Sequence, residues 1–306
     1  MKNIFVKLNF KQNILPMKLI KILLYFFCFV ALVSCDLFKG SDDEDPTLIE
    51  GCTNLNSFNY SSEADTDDGS CIEMYGCLGY FGGYSNSGSL GVTLNDPYWD
   101  QKMNEEVIIQ RNFFNGIPAN VYVLYEPSVN HKNAYASPQG QIMFGYHMFY
   151  YTISVYGELP VAGILAHEWG HRTQFYHNWG YDEKHYQELE ADAFSGFYMA
   201  LAKQYAWANI ESYFANVYAN GDYNFNHPTH HGTPEQRLAS AYLGVNTAIE
   251  ILNSGKPLSY QELHSLFINE IETYINNEPQ SNRFIEVKYP ENLTNAYIES
   301  LFPYIE

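Results

Sequence analysis

Apolar residues recur at three- and four-residue spacing through much of this chain. The spacing predicts helices near Asp96 to Asn115, near 160–176, from about Glu183 to Tyr205, and near 207–219, 234–254 and 259–276. Pro160 suits the first turn of the second of these, and Pro234 with Glu235 suits the first turn of another. Asn178-Trp179-Gly180 breaks the pattern, and Asp182 then reads as an N-cap. The run Val121-Tyr122-Val123-Leu124-Tyr125 predicts a strand, and a second strand falls near 140–146. The segment Asn133 to Phe144 reads as a turn and then that strand. Pro138 and Gly140 mark the bend, and Ile142 and Phe144 alternate with Gln141 and Met143. Residues 285–306 carry no readable motif, and no long internal repeat is visible. The class is α+β, with a small mixed or antiparallel sheet and a mainly helical C-terminal half.

One helix carries chemistry. His167-Glu168-Trp169-Gly170-His171 reads H-E-x-x-H. Positions four apart share a helix face, so His167 and His171 offer two imidazole nitrogens to one metal ion. Glu168 lies close enough to take a proton from an activated water as general base. This is the arrangement of zinc hydrolases. Val161 to Ala166 lead into the motif without a charge, so the helix is expected to be buried, and buried His and Glu need partners. Gly170 is small enough to admit another backbone.

A catalytic zinc needs a third protein ligand and one open position. Glu188 and Asp192 lie four apart on the next predicted helix, in the apolar setting of Ala191, Ala193, Phe194 and Gly196. Glu188 is the expected third ligand. Asp192 is expected to accept a hydrogen bond from the far nitrogen of a ligand histidine and fix its tautomer. Glu190 points elsewhere and reads as surface. His185 is a rival ligand, but lies nearly opposite Glu188 by helical angle.

H-E-x-x-H followed by E-x-x-A-D resembles the gluzincin metallopeptidases, in particular the HtpX-like peptidases and the bacterial neutral zinc metallopeptidases. Asn133-Ala134-Tyr135-Ala136-Ser137-Pro138-Gln139-Gly140-Gln141-Ile142 resembles the strand such peptidases carry before the zinc helix. His231-Gly232-Thr233-Pro234-Glu235-Gln236-Arg237 resembles a later segment of theirs. The matches span about residues 130 to 240. The resemblance implies a zincin-like fold, peptide-bond hydrolysis, a zinc ion on His167, His171 and Glu188, and Glu168 as base. It also implies that His231 lines the cleft near the oxyanion. Arg237 is expected to pair with an acidic residue. In zincins the strand before the zinc helix borders the cleft, and an open strand edge there would pair with an extended peptide substrate. No run of transmembrane helices surrounds the motif, unlike in HtpX itself.

The N-terminal residues read as a targeting segment and not as fold. Lys18 and Lys21 precede the apolar run Ile22 to Ser34, too short for a typical membrane span. It ends Leu32-Val33-Ser34-Cys35, which resembles a bacterial lipobox, so Cys35 is the expected lipidation site and residues 1–34 the signal, with Met17 an alternative start. Residues 35–50, including Ser41-Asp42-Asp43-Glu44-Asp45-Pro46, form an acidic tether that resembles the surface-export signals of Bacteroidetes-type lipoproteins. Residues 51–74 resemble a short Cys-bounded module. Cys52 and Cys71 are able to form a disulfide in an oxidising compartment, with Cys77 left over or the alternative partner. Asp65, Asp67, Asp68 and Gly69 offer oxygen ligands for calcium. Residues 75–306 form the catalytic domain. The expected location is the bacterial cell envelope, outside the cytoplasm and held to the membrane through Cys35.

Charge narrows the partners. Five of the 16 Lys and Arg precede Cys35, leaving 11 against 35 Asp and Glu, a net charge of −24 from Cys35 onward. Phosphate binding needs a basic surface, so nucleic acid is excluded and a peptide or protein substrate is expected. Two further readings share the motif: a zinc-containing scaffold without activity, and a zinc hydrolase of a cell-wall amide. The motif specifies an activated water and not the substrate.

Overall fold

Asp96 opens the helical framework. Its carboxylate accepts hydrogen bonds from the amides of Tyr98 and Trp99, and Pro97 takes the first position of α1 (Pro97–Phe113). The computed structural model describes residues 48–54, 57, 60–71, 75–76, 88–181, 184–204, 211–219, 231–276 and 289–305. Cys35, the apolar run before it, the acidic tether up to residue 47, Cys77 and Asp182 lie outside the described residues.

Two short strands, β1 (Glu50–Gly51) and β2 (Thr66–Asp67), pair in parallel, and a Cys52–Cys71 disulfide ties that region. The main sheet is mixed. Its order is β3 (Tyr75–Gly76), β6 (Ala134–Ala136), β7 (Gln141–Gly145), β5 (Asn120–Tyr125) and β4 (Ser89–Gly91); β5 and β7 run parallel and the other neighbours antiparallel.

Two expectations are corrected here. Asn133 to Phe144 is a hairpin, not a turn and one strand, because β6 pairs with the strand that follows it, β7, across the Ser137–Gly140 turn. Gly140 takes φ 98°, which that turn requires. Nor does β7 alternate between core and solvent. Ile142 and Phe144 enter the main core, and Met143 is buried on the other face with Leu124 and Tyr135. A strand with both faces covered reads as a continuous apolar run. β7 is bonded on both sides, and the outer edge of β6 is taken by β3 at Tyr135 and Ala136. The open strand edge expected to receive a peptide is therefore filled by the chain itself.

Directly after β7 comes α2 (Tyr146–Tyr156), a helix that the sequence pattern does not predict. Its aromatic and β-branched run has the composition of a strand. It is helical because Met148, Phe149 and Thr152 then share one buried face. There follow α3 (Leu159–His177), α4 (Lys184–Leu201), α5 (Glu211–Ala219), α6 (Pro234–Ser254), α7 (Tyr260–Asn276) and the short α8 (Asn295–Glu299). Asn178 ends α3 in the left-handed conformation. Thr233 and Gln236 form a capping box at the start of α6. The predicted helices match at these positions to within a few residues; α8 lies in the tail that carries no motif.

α4 is the central helix, with α3 on one side and α6 on the other. Glycines set both approaches. A Cβ on Gly170 of α3 would lie 3.1 Å from Ala191 Cα of α4. A Cβ on Gly244 of α6 would lie 1.9 Å from Ala193 O, and one on Gly196 of α4 2.0 Å from Ala241 O. Gly244→Ala should therefore push α6 off α4 and cost on the order of 1–3 kcal/mol, as overpacking does. Urea unfolding of the metal-free chain measures it; an unchanged midpoint would show that the two helices can part without loss.

Candidate metal centre

α3 is buried from Pro160 to Gln174, the result of the charge-free stretch before the motif. A buried helix turns polar side chains into the protein only where something receives them. His167 and His171 are 3% and 1% exposed, with ring centroids 4.8 Å apart. Nε2 of each lies 3.6 Å from Oε2 of Glu188 on α4, which the contact at Gly170 brings alongside. The donor atoms of His167, His171 and Glu188 all lie within 4.8 Å of one another, and among the described residues this is the His, Cys, Asp and Glu group able to hold a metal ion.

Three buried atoms converge here, His167 Nε2, His171 Nε2 and Glu188 Oε2, and none makes a hydrogen bond. Orphaned buried polar atoms are costly, and a shared cation satisfies all three. Metal bonds of about 2.0–2.1 Å place neighbouring donors roughly 3.3–3.5 Å apart, close to the 3.6 Å that separates each imidazole Nε2 from Glu188 Oε2. The residues present fit a metal ion.

The far nitrogens are held as well. His167 Nδ1 lies 2.8 Å from Asp192 Oδ1. Arg237 of α6 grips the same carboxylate with two donors, Nε to Oδ2 at 2.7 Å and Nη2 to Oδ1 at 2.8 Å. His171 Nδ1 lies 2.7 Å from Gln174 Oε1. An acceptor on each Nδ1 keeps a proton there and makes Nε2, which faces Glu188, the nitrogen that would bind a metal.

The electrostatics ask for positive charge. Burial alone would push His167 down, but the Asp192 carboxylate outweighs it and lifts the imidazole to about 9. Burial would raise Glu188, yet His231 and His171 hold it well below the usual carboxylate range. Burial would likewise raise Asp192, and the Arg237 guanidinium overcomes it. Asp192 thus has its own cation in Arg237, whereas Glu188 faces only imidazoles.

The structure brings together His167, His171, Glu188 and Asp192 as expected, with Glu168 fully buried in the same helix turn. His231 joins them: Nδ1 is 3.3 Å from Glu188 Oε2. The expected acidic partner of Arg237 is Asp192. Two side chains depart from expectation. Glu190, expected at the surface, is completely buried, because α7 covers it through His264. Gln174 is a part of the site that sequence reasoning misses, although a polar residue three positions after His171 on the same face is a usable signal. His185 packs on Tyr186 and is not in the metal group. Asp65, Asp67 and Asp68 are exposed. Asp67 and Asp68 cap their own turns, accepting from Gly69 N at 3.0 Å and Ser70 N at 2.8 Å, and the three aspartates are not in the metal-holding group of the described residues.

Comparison of this chain with known protein families, with curated proteins and with solved structures found no match.

Proposed function

We propose that this chain is a zinc-dependent peptidase of the gluzincin type, with a zincin-like fold, held outside the cytoplasm by a lipid on Cys35. The observation that carries the reading is the convergence of three orphaned buried donors, His167 Nε2, His171 Nε2 and Glu188 Oε2, on one point. The position of Glu168, one residue after the first of them, supplies the base.

His167, His171 and Glu188 would hold the ion. Bound zinc supplies Lewis acidity that makes a water easier to deprotonate and a carbonyl easier to attack. Glu168 takes the proton from that water and returns it to the leaving amine. Asp192 and Gln174 keep the two imidazoles in the tautomer that leaves Nε2 open. His231, whose Nδ1 lies 3.3 Å from Glu188, would donate to the oxyanion that forms as the carbonyl is attacked. The Cys52–Cys71 disulfide suits an oxidising compartment. No described helix is long and apolar enough to cross a membrane. A strongly acidic chain disfavours nucleic acid as partner.

The test combines metal content with turnover. The full chain is expected to carry zinc, to cleave a peptide library, to lose cleavage on chelation and to regain it on zinc addition. Zinc without any cleavage would favour a scaffold, and cleavage confined to cell-wall amides would favour the non-peptide hydrolase. Glu188→Ala should weaken zinc binding by more than the roughly 10–100-fold that loss of an outer-sphere partner produces. Unchanged affinity in a chelator competition would point to another third ligand.

A further inference from the structure

Glu190 is a buried ionisable group that the proposed chemistry leaves without a role. It lies on α4 two residues after Glu188, so helical geometry turns it away from the three metal donors. It is completely buried. Three donors from three parts of the chain reach it. Gln174 Nε2 of α3 donates to Oε2 at 3.0 Å, and the Tyr181 hydroxyl donates to the same oxygen. His264 Nδ1 of α7 reaches Oε1 at 2.7 Å. His264 is itself held by Trp179, stacked on it with ring centroids 4.1 Å apart. Burial and the Glu190 carboxylate push the Tyr181 hydroxyl far up, so it stays a donor.

The consequence falls on Gln174. A glutamine amide has an acceptor at one end and donors at the other, and a half-turn exchanges them. Here Nε2 has two acceptors, Gln187 O at 2.8 Å and Glu190 Oε2 at 3.0 Å. That leaves Oε1 for His171 Nδ1, at 2.7 Å. With the amide reversed, its NH2 would face Nδ1 and select the tautomer protonated on Nε2, which closes that nitrogen to a metal. A charged acceptor holds an amide donor more firmly than a neutral carbonyl. We propose that Glu190 is a positioning residue of the metal centre: it holds Gln174 with its carbonyl oxygen on His171, and so decides which His171 nitrogen is open to the ion. The inference rests on the metal reading above.

The test is zinc affinity of the full chain by chelator competition, with the visible absorption of the cobalt-loaded chain as a report on coordination. Glu190→Gln keeps the shape but can donate to Gln174, which leaves Gln187 O as the one fixed acceptor and weakens the preference. It should weaken zinc by about 10–100-fold and alter the cobalt spectrum. A Gln174→Glu background presents an acceptor to His171 whichever way it turns. In that background the same Glu190→Gln change should leave affinity unchanged or raise it, since it also removes a like charge. An equal loss in both backgrounds would mean a purely structural role and overturn the proposal. So would no loss in the wild-type background. A wild-type chain that takes up no metal overturns this proposal and the metal reading together, whereas the first two results overturn this proposal alone.

Discussion

Glu168→Gln is expected to keep its zinc and lose its peptidase activity, by about 10²–10⁴-fold in kcat, the usual contribution of a general base. The side chain is completely buried and the substitution keeps its shape, so the fold should survive. The metal should survive too, because the donor group consists of His167, His171 and Glu188 without Glu168. What changes is one capacity: an amide does not take the proton from water or return it to the leaving amine. Zinc stoichiometry, the unfolding midpoint and peptide turnover, read on one preparation, separate these effects. Wild-type turnover in the variant would sink the assignment of Glu168. Loss of zinc together with activity would mean that Glu168 helps to hold the ion.

Arg237→Ala should cost about 3–5 kcal/mol, the range for breaking a buried ion pair by removing one partner. Arg237 and Asp192 are 1% and 2% exposed, and two hydrogen bonds join them. Without the guanidinium, Asp192 is left as a buried carboxylate facing only His167. Arg237→Lys should fall between wild type and Arg237→Ala, since an ammonium restores the charge but not the two-pronged grip. Unfolding should be measured without metal, because bound zinc would add its own stabilisation. Zinc affinity should drop as well, because Asp192 orients His167. A loss below about 1 kcal/mol for Arg237→Ala, in the range of exposed pairs, would show that His167 alone suffices as the partner of Asp192.

Much of the candidate centre is legible in the amino-acid sequence, for a local reason. Helical periodicity alone puts His167 with His171 and Glu188 with Asp192, each pair four residues apart on one face. The flanking Val161 to Ala166 are apolar, as are Ala191, Ala193, Phe194 and Gly196, which announces that both faces are buried. The hairpin and α2 are less legible. Ala134–Ala136 is too short to show a period, and Tyr146–Tyr156 has the composition of a strand yet folds as a helix on the core. For Glu190 the sequence pattern points the wrong way. Nothing near it in the chain reveals that Tyr181 folds back on it or that His264 covers it from α7.

The division follows from the range of the forces. Spacing along one helix is set by backbone geometry within a few residues, so the two histidine donors, the neighbouring Glu188–Asp192 pair and every helix but α2 and α8 can be read from the residues alone. Which helix lies against which depends on surfaces far apart in the chain meeting at native density. That long-range packing is what admits α4 past Gly170 to within reach of His171. It also brings Arg237 onto Asp192 through Gly196 and Gly244, and fills the edge of β6 with β3.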